Sequence, residues 1–288
     1  MERSWSPVFY SVHREQRDAL LAEGWNSIEV GSEMVVDPRV WKTTGKKWQD
    51  VRTAINKAKR DGITDVQSTF LESPLEVREQ IEDISEEWAQ LKALPEMKFT
   101  LGGVEELRDP RVRLLYAVDA DGRVLGVTSW LPTWRDGRVI GWTLDFMRHR
   151  TDSPNGIMEF LIARMAERLR DEGAADPERA AEFMSLSAAP LAGMNPERDN
   201  AGEGGAPAGE GTQVLQHALQ IVADWMEPAY GFHSLFNFKR KFQPTEAPVY
   251  VCYPDPAALP QIGLAVVRAY VPSVTPAEVA GMLSTLRS

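Results

Sequence analysis

Asp145 and Arg148 follow an apolar, β-forming run, Val139–Leu144, and stand where that strand is expected to end. Beyond them Thr151-Asp152-Ser153-Pro154-Asn155-Gly156 is a polar turn that opens a long helix. An acid and a base at a strand's C-terminal edge, facing a helix N-terminus, suit an anionic ligand or an acyl-transfer reaction. The same spacing also suits a structural ion pair at a strand–helix junction. His149 stands beside Arg148 in position to relay a proton, whereas His13, His217 and His233 are scattered and read as structural. No His/Asp/Glu cluster has metal-ligand spacing, and no glycine-rich nucleotide fingerprint is present, so neither a metal nor a cofactor is expected.

The bulk properties narrow the class. With 288 residues, 43% hydrophobic and 26% charged, the chain reads as globular, with room for one large or two ordinary domains. The single cysteine, Cys252, excludes an internal disulfide and fits a reducing compartment. It lies in an expected strand and reads as a core residue. The N-terminal stretch MERSWSPVFYSVHREQ lacks a signal-peptide core, and no apolar run is long enough to span a bilayer. The chain is expected to be cytosolic, or the soluble part of something larger.

A formal net charge of −10 argues against a general nucleic-acid binder. The basic residues nevertheless cluster. Lys42, Lys46, Lys47, Arg52, Lys57, Lys59 and Arg60 face a single acid, Asp50, and Lys239-Arg240-Lys241 forms a second group. Such patches can hold a phosphate backbone locally, or can be solvated helix faces.

Periodicity supplies the elements that must position these residues. Strands are expected at Pro7–His13, Trp25–Val36, Ile63–Phe70, Arg113–Val118, Arg123–Leu131, Val139–Leu144, Phe183–Leu186 and Pro248–Tyr253. Helices are expected at Glu15–Glu23, Lys46–Arg60, Glu72–Leu91, Gly156–Asp171, Gln213–Met226, Ala257–Tyr270 and from Thr275 onward, with a mobile loop over Asn195–Thr212. Asp119-Ala120-Asp121-Gly122 and Trp134-Arg135-Asp136-Gly137 read as hairpin turns. From residue 63 the order is strand, helix, three-strand meander, helix, strand, helix, strand. That is the order of the GNAT-type acyltransferase fold, an α+β architecture in which the strand after the meander splays to open a cleft.

Several short motifs carry a closer resemblance. They are Val30-Gly31-Ser32-Glu33 with Val35-Val36-Asp37, Gly45-Lys46-Lys47 through Arg52 and Asn56, and Ile84-Ser85-Glu86-Glu87-Trp88. Further on come Glu96 with Phe99-Thr100-Leu101-Gly102, Asp145-Phe146-Met147-Arg148, Ala189-Pro190-Leu191, and Phe238-Lys239-Arg240-Lys241-Phe242-Gln243-Pro244. In this order they resemble the C-terminal catalytic domain of the aminoacyl-phosphatidylglycerol synthases, also called phosphatidylglycerol lysyltransferases or multiple peptide resistance factors.

The resemblance implies tandem GNAT-like lobes, the first incomplete and covering residues 1–62 with the basic helix, the second covering 63–288. It implies an aminoacyl-tRNA donor and an anionic phospholipid acceptor such as phosphatidylglycerol, at the inner face of the cell membrane. A separate or missing transmembrane domain is a further implied partner. Transfer of an aminoacyl ester to a hydroxyl needs a base, a stabilised oxyanion and a carboxylate for the donor ammonium. On this reading Asp145 is the base or the ammonium ligand, and Arg148 fixes Asp145 or binds a lipid phosphate. Glu96 is a second ammonium ligand. Lys241 or Lys239 meets a phosphate, and Ser187 offers a hydroxyl to the oxyanion. Lys46, Lys47, Arg52 and Lys57 face tRNA or anionic lipid.

The chain departs from the family pattern at Ala192, Ser234-Leu235-Phe236 and Glu246, around the expected cleft. This leaves two alternatives open: the same donor with a soluble small-molecule acceptor, and a non-catalytic domain that binds tRNA or an anionic surface.

Overall fold

Asp136 and Gly137 both take positive φ, 51° and 75°, and Gly122 takes 81°. These left-handed positions close the two tight turns from which the central sheet is made. The computed structural model describes residues 7–90, 102–190 and 232–270. Its strands are β1 (Phe9–Val12), β2 (Asn26–Val36), β3 (Thr64–Ser68), β4 (Arg113–Val118), β5 (Val124–Arg135), β6 (Arg138–His149), β7 (Phe183–Pro190) and β8 (Thr245–Tyr253). Its helices are α1 (Arg14–Ala22), α2 (Gln49–Arg60), α3 (Leu75–Gln90), α4 (Ile157–Ala175), α5 (Phe232–Arg240) and α6 (Leu259–Tyr270). The expectations for 195–212, 213–226 and 275 onward fall outside the described residues.

The chain divides into two compact units: Met1–Glu33, Ala188–Phe236 and Glu246–Ser288 form the first, Met34–Ser187 and Asn237–Thr245 the second. The division does not fall at residue 62. α2 clusters with the meander because Val51, Ala54 and Ala58 are buried on its inner face. Its Ala54 also packs on the turn before α4, where a β-carbon at Gly156 would lie 3.0 Å away.

In the first unit β1 pairs antiparallel with β8, Phe9 opposite Cys252 and Val12 opposite Tyr250. Ile28 and Val30 of β2 and Val249, Val251 and Tyr253 of β8 pack on Leu259 and Ile262 of α6. The two-residue repeat on each strand directs these side chains to one face. Cys252 is a buried free thiol, pushed up by burial, so it packs as a core residue.

In the second unit the strand order is β7-β6-β5-β4-β3. The β3–β6 meander is antiparallel, and β7 joins β6 in parallel. The two faces of this sheet carry different helices. Tyr116 opposes Val127, and both belong to a core with Ile81 and Ile84 of α3. The next residue, Gly126, points the other way, where a β-carbon would come 2.6 Å from the Met158 methyl group of α4. Alternation along the strand therefore places α3 and α4 on opposite faces. Ile157, Leu161, Met165 and Leu169 form the buried stripe of α4, as their spacing predicts. Asp65 of β3 accepts from Arg164 and Arg168 of α4, at 2.7 Å from each Nε, and ties that helix to the sheet.

Candidate functional site

The strand that carries Asp145 and Arg148 does not end before them. β6 continues to His149, so both residues lie within it. The apolar run stops at Leu144, but the ladder does not: Val127 pairs Arg148 and Gly126 pairs His149. Pairing with β5, whose reach a local reading does not give, extends the element.

Within that ladder the register slips. Thr128 opposes Met147 and Trp130 opposes Leu144, so Asp145 and Phe146 together face the single residue Ser129. The Ser129 hydroxyl accepts from the Phe146 N–H at 3.1 Å and satisfies the bulge. A bulge of this kind re-aims side chains and sharpens the local twist.

On the other side, β6 and β7 pair from Gly141 and Phe183 to Thr143 and Ser185. Past that point the contact changes character. Ser187 takes a left-handed φ of 67°, and its hydroxyl donates to the Leu144 carbonyl. Its N–H donates to Ser185 Oγ at 3.0 Å. Its carbonyl accepts from Lys239 Nζ at 3.3 Å, from a lysine that is only 3% exposed. A side-chain bond thus stands where the next ladder bond would be, beside the bulge that carries Asp145. Ser187 spends its hydroxyl on Leu144, and Lys239 meets a backbone carbonyl.

The Asp145 carboxyl is held above the ordinary range by burial, against the pull of a hydrogen bond from the Gly102 N–H. The negative charge of Glu106 pushes in the same direction as burial. A carboxylate in such surroundings is a stronger base than one in water.

Arg148 is 3% exposed. Its guanidinium lies 4.2 Å from the Trp88 ring centre and 4.4 Å from that of Phe146, and it donates to Ser85 Oγ and to the Ser85 carbonyl. These partners direct it under α3. His149 is exposed, and its Nδ1 lies 2.8 Å from the Arg150 carbonyl. The polar turn after it is fastened to its neighbours: Thr151 to Glu87 of α3, Asp152 to Arg123 at 2.8 Å, and Ser153 Oγ to the Leu125 carbonyl at 2.5 Å.

The remaining sequence-predicted residues separate by environment. Lys241 pairs with Glu159 at 2.7 Å and lies over Phe238. Arg52 donates to the carbonyls of Thr43 and Gly45, both at 2.6 Å, and so shapes the loop before α2. Lys57 pairs with Asp61 at 2.7 Å. Lys46 and Lys47 are exposed, as are Lys42, Lys59 and Arg60. Glu96 lies outside the described residues. Among the described residues no group of three or more His, Cys, Asp or Glu is placed to hold a metal.

Sequence reasoning missed Glu106, Glu159 and the contact of Gly102 with Asp145. The tandem Gly102-Gly103 was a visible signal for a close backbone approach. Nothing local pointed to the two acids.

A mixed sheet with a bulge in β6, β7 paired beside it in parallel and helices on both faces defines an α+β, GNAT-like domain. The structure of L-PGS from Bacillus licheniformis shares the fold, with a TM-score of 0.70 at 22% identity, over 91% of this chain and 72% of that one. The family described as phosphatidylglycerol lysyltransferase, C-terminal, matches residues 1–253, and the chain belongs to it. An uncharacterized protein of Corynebacterium glutamicum is 38% identical over 93% of this chain and 32% of its own length. The phosphatidylglycerol lysyltransferase of Bacillus subtilis is 26% identical over 88% of this chain and 26% of its own. The chain thus spans about a third or less of the curated relatives it matches.

Proposed function

We propose that this chain moves an aminoacyl group from aminoacyl-tRNA onto the hydroxyl of a membrane lipid such as phosphatidylglycerol. The observation that carries the reading is the Asp145 carboxyl, raised by burial at a strand bulge in a chain of the lysyltransferase family. An ester donor needs no further activation. The step requires that a lipid hydroxyl lose its proton as it attacks the aminoacyl carbonyl, and that the tRNA ribose oxygen regain one as it leaves. Asp145 takes the first proton and returns it to the leaving oxygen. Its ionised form also attracts the donor ammonium.

In this reading the second unit is the catalytic lobe, with 63–187 as its frame. Arg148 orders the α3 side of β6. Lys239 and Ser187 fix the β6–β7 junction beside Asp145, and Lys241 with Glu159 belongs to the same lobe. Lys46 and Lys47, on the exposed side of the α2 entry, meet tRNA or lipid phosphates. A cytoplasmic donor and a bilayer acceptor meet at the inner face of the cell membrane. Among the described residues no helix is long and apolar enough to cross it.

The test supplies charged tRNA pools, each with one radiolabelled amino acid, and mixed lipid vesicles containing phosphatidylglycerol. Label in the organic phase, lost in Asp145→Ala, is the expected result. Label in a water-soluble adduct would replace the lipid acceptor with a small molecule. Binding of tRNA without any transfer would replace the enzyme with a binding domain.

A further inference from the structure

The segment Gly102–Leu107 lies against Asp145, is closed on itself by a turn and is anchored in the core at its far end. Leu107 is buried in the same core as Phe146, the neighbour of Asp145 in the bulge, and Val104 packs on that core. Within the segment the Gly103 N–H donates to Glu106 Oε2 at 2.8 Å, which closes the turn. Just ahead of that turn the Gly102 backbone touches the carboxylate, and a β-carbon at 102 would lie 2.7 Å from Asp145 Cγ. That distance is well inside van der Waals contact, so any side chain at 102 must displace the carboxylate or the turn. The close approach of backbone to carboxylate therefore requires glycine at 102.

We infer that Gly102 and Glu106 are positioning residues for Asp145, and that the Gly102–Leu107 segment is a backbone clamp on that carboxylate. The Gly102 N–H aims one carboxylate oxygen, Glu106 holds the turn that presents the N–H, and the apolar anchors keep the turn from swinging away. The clamp's part in catalysis rests on the transferase reading; its existence does not.

Two measurements on the whole chain separate these. Thermal unfolding of wild type, Gly102→Ala, Asp145→Ala and the double variant forms a cycle that needs no activity. Gly102→Ala should lower the midpoint by about 3–6 °C in wild type and by less than about 1 °C in the Asp145→Ala background, where the clashing atoms are gone. Equal losses in both backgrounds would overturn the clamp. The second measurement is the transfer rate. Glu106→Ala should lower it about tenfold, while Glu106→Gln, which keeps the acceptor for Gly103, recovers most of that loss. A wild-type rate in Glu106→Ala, or Gln as poor as Ala, would overturn the role of Glu106. This pair does not depend on Gly102→Ala folding. Should wild type transfer nothing from any pool, the transferase reading falls and the thermal cycle still decides the clamp.

Discussion

The Ser187 hydroxyl donates to the Leu144 carbonyl at the point where β6 and β7 stop pairing, and Ser187 adopts a left-handed backbone to do so. A non-glycine residue in that conformation costs on the order of 1 kcal/mol and persists where its surroundings fix it. Here its N–H, carbonyl and hydroxyl are all engaged. Ser187→Gly should relieve the backbone but lose the hydroxyl bond, for a small net change. Ser187→Val should cost about 2–4 kcal/mol, since it loses the bond and forces a β-branched residue into the same φ. Urea unfolding midpoints of the two variants check the order.

The direction of the Asp145 shift predicts a pH-dependent gain from its removal. A carboxyl raised by burial favours folding in its protonated form. That contribution is complete below the ordinary value of 3.8 and is lost as pH rises through the higher folded-state value. Asp145→Asn stays neutral throughout. It should match wild type at pH about 3.5 and be the more stable protein at pH about 7. Equal urea midpoints at both pH values would contradict this. Transfer by wild type should lose its base on acidification at a pH above the usual carboxylate range.

Arg148 is packed between two rings and bonded to Ser85, which predicts that charge alone does not replace it. Arg148→Lys keeps the charge but loses the planar stack and the fork, and should cost about 2–4 kcal/mol. A surface phosphate ligand would tolerate the same change. Thermal unfolding of Arg148→Lys decides between them.

The basic stretch before and along α2 should split into two behaviours. Lys46→Ala and Lys47→Ala should each lower the slope of log affinity for tRNA against log salt by about 1, with no change in stability. Arg52→Ala should instead destabilise by about 1–2 kcal/mol, because its guanidinium holds the Thr43 and Gly45 carbonyls. Filter binding across salt concentrations, beside urea unfolding, separates the two.

Asp65 ties β3 to α4 through Arg164 and Arg168, and its side chain is 8% exposed whereas the arginines are about a third exposed. Because the arginines can rehydrate, Asp65→Ala should cost about 1–3 kcal/mol, below the figure for a fully buried pair. Denaturant unfolding gives the value.

Local chemistry determined much of this protein. The apolar run of β4, the Asp119–Gly122 and Asp136-Gly137 turns, and the four-residue stripe of α4 follow from side-chain pattern and backbone preference, and the structure keeps them. The motif Asp145-Phe146-Met147-Arg148 lies in β6. Tertiary structure decided the rest, because it depends on partners distant in the chain. Arg148 is buried by Ser85, 63 positions away, and Lys239 reaches Ser187 across 52. The Asp145 bulge exists only as a mismatch between two strands, and the β6 run to His149 exists because β5 pairs it. A sequence window registers which side chains are present. Which of them lose water, and to whom they turn their hydrogen bonds, is fixed when the sheet closes around them.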